Sequence, residues 1–303
     1  MATYQTFQQI GIKENISDII TNLTPTKTPF QSNIGTEKVH NVLFQWQEDS
    51  LRGQALNAQV EGADPSYITA NPTVMRNNVT QILNEAVVVS DTAETVTVYG
   101  RAKEMAYQMQ KSASQVKRDL ELSLIGNAQV LSTGNSTTAR QFASAQQQVL
   151  AGNISYAGAA TNLSEALMLT NLQTCFTAGA TPSRIQVTPS NSVIIAGFAA
   201  VTGRYRTIPG ASTGEDSGIV NVVNFYVSPF GEVKIEINRF IKAKNTLVYD
   251  PKQWAKAVLR PWTREALAKT GDATKQMIIS EQSLKHKNFA ASGFIIDNAT
   301  TGF

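Results

Sequence analysis

The chain has 303 residues, 26 of them Lys or Arg and 23 Asp or Glu, for a formal net charge of +3. Its charged share of 16% is well below the usual figure of about 25%, while Ser, Thr, Asn and Gln number 96. The longest apolar run, Val193 to Val201, is interrupted by Gly197 and is about half the length of a bilayer span, which excludes it as a transmembrane helix. A lone cysteine, Cys175, excludes an internal disulfide, and residues 1–12 lack the basic start and apolar stretch of a signal peptide. The expectation is a soluble protein made in a reducing cytoplasm, long enough to build about two domains without staples. Lys and Arg outnumber Asp and Glu by 12 to 7 over residues 221–303. Acids interspersed among those bases read as a mixed solvated face rather than a nucleic-acid groove.

Residues 1–40 read as an extended arm, with Pro25 and Pro29 in a Thr/Lys stretch and no core of their own. Such a segment is expected to lie on another surface, its own chain's or a neighbour's. Val39 to Trp46 and Val79 to Val89 have strand composition. Residues 47–78, with Gly53, Gly62, Pro65 and Pro72, read as a long projecting two-stranded loop whose buried face comes from another chain.

Spacings of three and four through Val96, Tyr99, Ala102, Ala106, Met109, Ala113, Val116, Leu120 and Leu124 predict one amphipathic helix over 92–131. At 1.5 Å per residue it would be a rod of roughly 50–60 Å. Asp91 and Glu94 resemble a capping box at its start. Residues 132–160 read as a polar connector, 163–178 as a helix stopped by Gly179, 185–187 as a short strand, and Pro189 to Val201 as a third helix. A glycine-rich loop over 203–218 precedes a hairpin in which Val222 to Val227 turns through Ser228-Pro229-Phe230-Gly231 into Glu232 to Asn238. Val233, Ile235 and Ile237 are expected to face the core. With strands at 246–249, 254–259 and 276–284, the class is α+β.

Catalytic patterns are sparse. The two histidines, His40 in a strand and His286 in Lys-His-Lys, have no second ligand at metal spacing. Gly210-Ala-Ser212-Thr-Gly214 has the letters of a nucleophile elbow without the strand and helix that chemistry needs, which leaves a hydrolase using Ser212 as a minor reading. Phosphate-loop and dinucleotide fingerprints are absent from the sequence. Cys175, near a helix C-terminus, reads as a buried inert thiol. No catalytic, cofactor or metal site is expected.

Four blocks follow one another near the C-terminus: Tyr226-Val-Ser-Pro-Phe-Gly231 through Phe240, Leu259-Arg-Pro261, Leu267-Ala-Lys-Thr-Gly-Asp272-Ala-Thr-Lys275, and Glu281-Gln-Ser-Leu284 through Asn288. In that order the chain resembles the major capsid proteins of tailed double-stranded DNA bacteriophages, with the Hong Kong 97-like fold. The resemblance implies an N-arm over residues 1–40, an extended E-loop over 41–90, and a peripheral domain over 91–131 and 261–303 that contains a long spine helix. An axial domain would occupy 132–260. It implies a structural subunit that assembles into hexamers and pentamers around the phage genome, in a head built in the host bacterial cytoplasm. Portal, scaffolding and decoration proteins would be partners, with non-specific contact to the packaged DNA, no membrane and no cofactor. An encapsulin-like compartment shell is the alternative on the same fold. Contacts between subunits are expected on the arm and E-loop at Phe30, Trp46, Arg52, Tyr67 and Arg76.

The founding member of the fold links its subunits covalently through an E-loop lysine. Here no lysine occurs between Lys38 and Lys103, so the expected shell is not crosslinked. A surface that mostly meets copies of itself would also account for the composition, because neutral hydrogen-bonding groups are cheaper to desolvate than ions.

Overall fold

The computed structural model describes residues 24–65, 67–100, 102–157, 163–201, 225–242 and 244–296, with backbone alone at 199–201. The first part of the arm, the loop carrying Ser212 and the start of the 222–227 strand lie outside these residues. In chain order, helix α1 (Pro29–Asn33) precedes strands β1 (Gly35–Lys38), β2 (Leu43–Glu48), β3 (Val74–Val79) and β4 (Gln81–Ser90). Helices α2 (Asp91–Thr95) and α3 (Glu104–Glu121) follow, then β5 (Ile154–Tyr156), α4 (Glu165–Thr177), β6 (Arg184–Val187) and α5 (Pro189–Val201). Strands β7 (Phe225–Ser228), β8 (Gly231–Ile237), β9 (Thr246–Tyr249), β10 (Trp254–Ala266), β11 (Ala273–His286) and β12 (Gly293–Ile296) complete the order. Among the described residues they make a four-stranded sheet, β1-β10-β11-β4, a six-stranded sheet, β5-β12-β9-β6-β8-β7, and a ribbon of β2 with β3.

The two strands expected around the projecting loop each divide. His40 lies in an exposed turn between β1 and β2, not in a strand, and the chain changes sheets again at Thr80 between β3 and β4. The split lets one segment serve both the ribbon and the four-stranded sheet. Strand β10 runs on through Pro261, past the expected end at Leu259, with register shifts on either side of Arg260. Strand β1 pairs only with residues 255–258 of β10, so beyond Val258 that edge is open and a missing N–H costs nothing there. A domain boundary at 260/261 therefore cuts a strand, and β12, inside the expected peripheral segment 261–303, belongs to the six-stranded sheet.

The long rod is shorter than its periodicity predicts. Residues 96–100, 102 and 103 are not helical: Val96, Thr97 and Val98 are β-branched and Gly100 takes φ +77. Helix α3 has 18 residues, or about 27 Å, and passes into a five-residue π turn, Leu122–Gly126. Any Cβ at Gly126 would stand 1.9 Å from the Phe240 carbonyl oxygen, so only glycine fits. The buried stripe is Met105, Met109, Ser112, Val116 and Leu120, packed on β4 and β11. Ala106 and Ala113 point to solvent, so the alanine-based face is offset by one residue. Capping also differs from the expected box. Ser90 caps α2 by accepting from the Ala93 N–H (3.2 Å), while Glu94 accepts from Met105 N (2.9 Å) and so caps α3 from the preceding helix.

The six-stranded sheet carries a core of Met168, Leu172, Ile185, Val187, Ile195, Val233, Val248 and Ile295. Val233 and Ile235 face it as expected, but Ile237, the last residue of β8, is 56% exposed. Of residues 132–160, expected as a polar connector, 142–149 instead enter the core: Phe142 is fully buried, and Gln148 bonds the Ala143 and Leu284 carbonyls and the His286 N–H. The end of the arm likewise joins the core, with Phe30 packed against Tyr249 and Trp254.

Candidate assembly interface

Two structures meet at the ribbon. Its root is rigid. Strands β2 and β3 pair from Leu43↔Val79 to Glu48↔Val74, and alternation turns Phe44 and Trp46 inward onto Ala257, Leu259 and Phe289. Trp46 stacks on Phe44 (5.7 Å) and lies 6.3 Å from Phe289. Arg76 donates to the Glu48 carboxylate (2.6 Å) with its guanidinium 4.3 Å above the Phe289 ring. Glu48 also accepts from the Phe289 N–H, and Lys285, paired with Glu37 at 2.7 Å, lies 5.8 Å from the Trp46 ring.

Beyond the root, residues 49–73 contain neither helix nor strand among those described. Leu51, Leu56, Val60, Tyr67 and Ile68 are between 72% and 103% exposed. Burying such side chains yields about 1.5–3 kcal/mol each, so their exposure on one projection marks a surface built to be covered. Arg52 contacts only the Gly53 carbonyl (3.1 Å).

Two buried carboxylates fix this projection and the arm to the body. Glu281 on β11 accepts from Thr80 (2.7 Å), Arg140 (2.7 Å) and Arg260 (3.0 Å), at the junction of ribbon and sheet. Asn78 beside it accepts from Ala143 N (2.9 Å) and donates to the Leu284 carbonyl (2.7 Å). Glu121, at the end of α3, accepts from the backbone N–H groups of Phe30 (2.8 Å) and Gln31 (2.9 Å) and from Asn238 (2.7 Å). Burial pushes its carboxyl above the ordinary range, against the pull of those donors.

Of the residues expected at subunit contacts, the structure brings Trp46 and Arg76 together at the root and leaves Arg52 and Tyr67 on the exposed excursion. Phe30 is 0% exposed within its own subunit, so it has no surface left for a neighbour. Sequence reasoning missed Asn78, Glu121 and Glu281. Their signals were present: Glu281 is the lone acid in β11, and Glu121 sits beside the apolar stripe of α3.

One arrangement has the outline of catalytic machinery. Ser292 Oγ lies 3.0 Å from His286 Nε2, and His286 Nδ1 lies 2.8 Å from the Gln148 carbonyl. That carbonyl can only accept, so the Nδ1–H donates to it and Nε2 accepts from Ser292, whose oxygen accepts from Trp254 Nε1 (2.9 Å). The imidazole is stacked on Trp254 at 3.8 Å, and burial pushes its pKa down to about 3. Both Ser292 and His286 are 0% exposed, which makes the pair a satisfied core network closed to substrate. Cys175 is equally buried, its thiol pushed up to about 12 by desolvation. No group of three or more metal-ligating side chains occurs among the described residues.

The SU10 major capsid protein family model matches residues 1–299. The major capsid protein of Escherichia phage Phieco32 is 30% identical over 98% of this chain and 97% of its own length. Among solved structures, the capsid of a native GTA particle aligns with TM-score 0.66 at 10% identity, covering 97% of this chain and 98% of that one. An encapsulin from Synechococcus elongatus aligns with TM-score 0.57 at 11% identity over 94% of both chains. Identities this low speak for the fold alone.

Proposed function

The chain belongs to the SU10 major capsid protein family, and from that membership we propose how its geometry builds a shell. Its role is that of the major capsid protein of a tailed phage, a structural component of the virion shell with the Hong Kong 97-like α+β fold. The family is structural rather than enzymatic, in keeping with the sealed Ser292–His286 pair. Encapsulins share the fold, but the whole-chain family match and the phage relative favour the genome container.

In the proposed assembly the ribbon and residues 49–73 form the E-loop, laid over a neighbouring subunit. The four-stranded sheet with α3 forms the peripheral domain, and the six-stranded sheet with α4 and α5 the axial domain. This allocation moves β4 and β1 into the peripheral sheet and β12 into the axial one. Subunits associate as hexamers and pentamers in the host cytoplasm, with portal, scaffolding and decoration proteins as partners and non-specific contact to packaged double-stranded DNA.

The observation that carries this reading is a rigid root bearing an exposed apolar excursion. Replacing Leu51, Leu56 and Val60 together with Ser tests it. The variant is expected to fold with the parent's thermal midpoint and to form no closed shells under electron microscopy. Shells formed at parental yield would overturn the E-loop assignment.

A further inference from the structure

We propose that helix α1 is a latch that locks the angle between the two large sheets of the subunit, gripped on one side by Glu121 of α3 and on the other by Glu236 of β8. The inference rests on the capsid reading for its consequence only: a closed shell needs subunits of uniform shape. Pro29 has no N–H, so the first donors of α1 are those of Phe30 and Gln31. Each goes to one oxygen of Glu121, at 2.8 and 2.9 Å, and Gln31 Nε2 adds a bond to the Lys117 carbonyl of the same helix (2.8 Å). Helix α3 packs on the four-stranded sheet. At the other end of α1, Asn33 Nδ2 donates to Glu236 and lies 3.4 Å from the Tyr249 hydroxyl, both in the six-stranded sheet. Between these grips the Phe30 ring touches one aromatic of each sheet, Tyr249 at 5.5 Å and Trp254 at 5.8 Å.

A five-residue helix has no stability of its own, so α1 persists on what it touches, and what it touches belongs to both sheets. The grips are joined to each other behind it. Asn238, just beyond β8, donates to Glu121 (2.7 Å) and to Gln186 on β6 (3.1 Å), and Gln186 donates to the Tyr249 hydroxyl (3.0 Å). Arg184 on β6 pairs with Glu236. Beside this network the chain leaves α3 through the π turn Leu122–Gly126, on which α1 packs. A π turn interrupts the helical hydrogen-bond ladder and is a recognised place for a helix to bend. The latch therefore spans the point at which the body is most easily bent.

The test measures a distance across that point in the unassembled full-length chain. Spin labels are placed at Ser114→Cys on α3 and Gln173→Cys on α4, both exposed, while Cys175 is 0% exposed and takes no label. The labelled parent is expected to give a narrow distance distribution. Adding Glu121→Gln and Asn33→Ala, which weakens both grips, is expected to broaden it and to speed hydrogen exchange in residues 29–34 about tenfold or more. Faster exchange with a distribution as narrow as the parent's would overturn the latch. Undiminished protection of 29–34 would overturn it too, by showing that the carboxylates do not hold the helix. Met168→Ala, inside the core of the six-stranded sheet, is the control for lost stability; it is expected to keep the distribution narrow, and equal broadening there would reduce the effect to general loosening, against the proposal. If the double variant does not fold, Asn33→Ala alone carries the same readouts, since Glu236 keeps Arg184 and Lys234 as partners. Electron microscopy separates the two readings. Shells from the parent and none from the broadened variant support the consequence drawn for assembly, shells from both overturn it, and a parent without shells counts against the capsid reading while the label distances still decide the latch.

Discussion

The root of the ribbon and the excursion it carries are continuous in sequence and opposite in physics. At the root, Trp46 and Phe44 use nearly all of their contact surface within the subunit, Phe289 and Arg76 use most of theirs, and Glu48 has both a charged and a backbone partner. A few residues further, Leu51, Leu56 and Tyr67 have almost none of theirs covered. The difference teaches that stiffness and stickiness are separated along the chain. In the proposed assembly a rigid base would set where the projection goes, and the exposed tip would supply the free energy of contact once a neighbouring subunit arrives. A flexible base would add its ordering entropy to the cost of association.

That contrast can be broken from either side. At the root, Trp46→Ala is expected to cost the folded subunit about 3–5 kcal/mol, read as a lowered denaturation midpoint; a loss below 1 kcal/mol would show that the root is not clamped. At the junction, Glu281→Gln is expected to cost about 1–3 kcal/mol, less than a fully buried pair, because Arg260 and Arg140 retain access to water. His286 gives the body a pH signature. Its folded pKa lies below the ordinary histidine value, so its contribution to stability is complete above about 6.5 and fades as pH falls towards about 3. Chemical denaturation of the unassembled chain should therefore weaken by about 1.4 kcal/mol per pH unit in that window, a slope His286→Gln should flatten. Glu121 acts in the opposite sense: its raised pKa favours the folded state at low pH and that advantage is lost as pH rises through it. Smallest in effect, Arg52→Ala and Tyr67→Ala on the excursion should leave subunit stability within about 0.5 kcal/mol of the parent while slowing assembly measured by light scattering. On denaturing gels, assembled shells should run as single chains, since no lysine lies between Lys38 and Lys103; covalent ladders would contradict this.

Much of the fold was legible because it is periodic. Helices α4 and α5, with Ser164 and Pro189 at their starts, and the β7–β8 hairpin around Ser228-Pro229-Phe230-Gly231 follow from local signals. The rod over 92–131 was overestimated because a spacing of three and four persists through Val96 and Tyr99 even where Gly100 turns the backbone out of the helical region. The charge-poor composition alone suggests a surface property, yet Asn78, Gln148, Asn153, Asn171, Gln186, Asn191 and Asn238 are all nearly or fully buried. Asn153, for example, donates to the Ala290 and Ser292 carbonyls. Part of the excess of neutral polar groups is therefore mortar inside the subunit, where an amide can satisfy backbone groups at lower desolvation cost than an ion. The exposed excursion was recognisable as a projection, but not the clamp beneath it, since Trp46, Arg76 and Phe289 are drawn from separated parts of the chain.

By itself the sequence determined the family, the α+β class, the order of most elements and the absence of a lysine from the projecting loop, because these depend on residue identity and local spacing. Tertiary structure decided which side chains are already used and which remain to be covered. Phe30 and Trp46 carry the composition of contact residues, yet the body of the subunit closes over both, while Leu56 and Tyr67 stay open. Burial is a property of what the fold brings together, and no local pattern contains it.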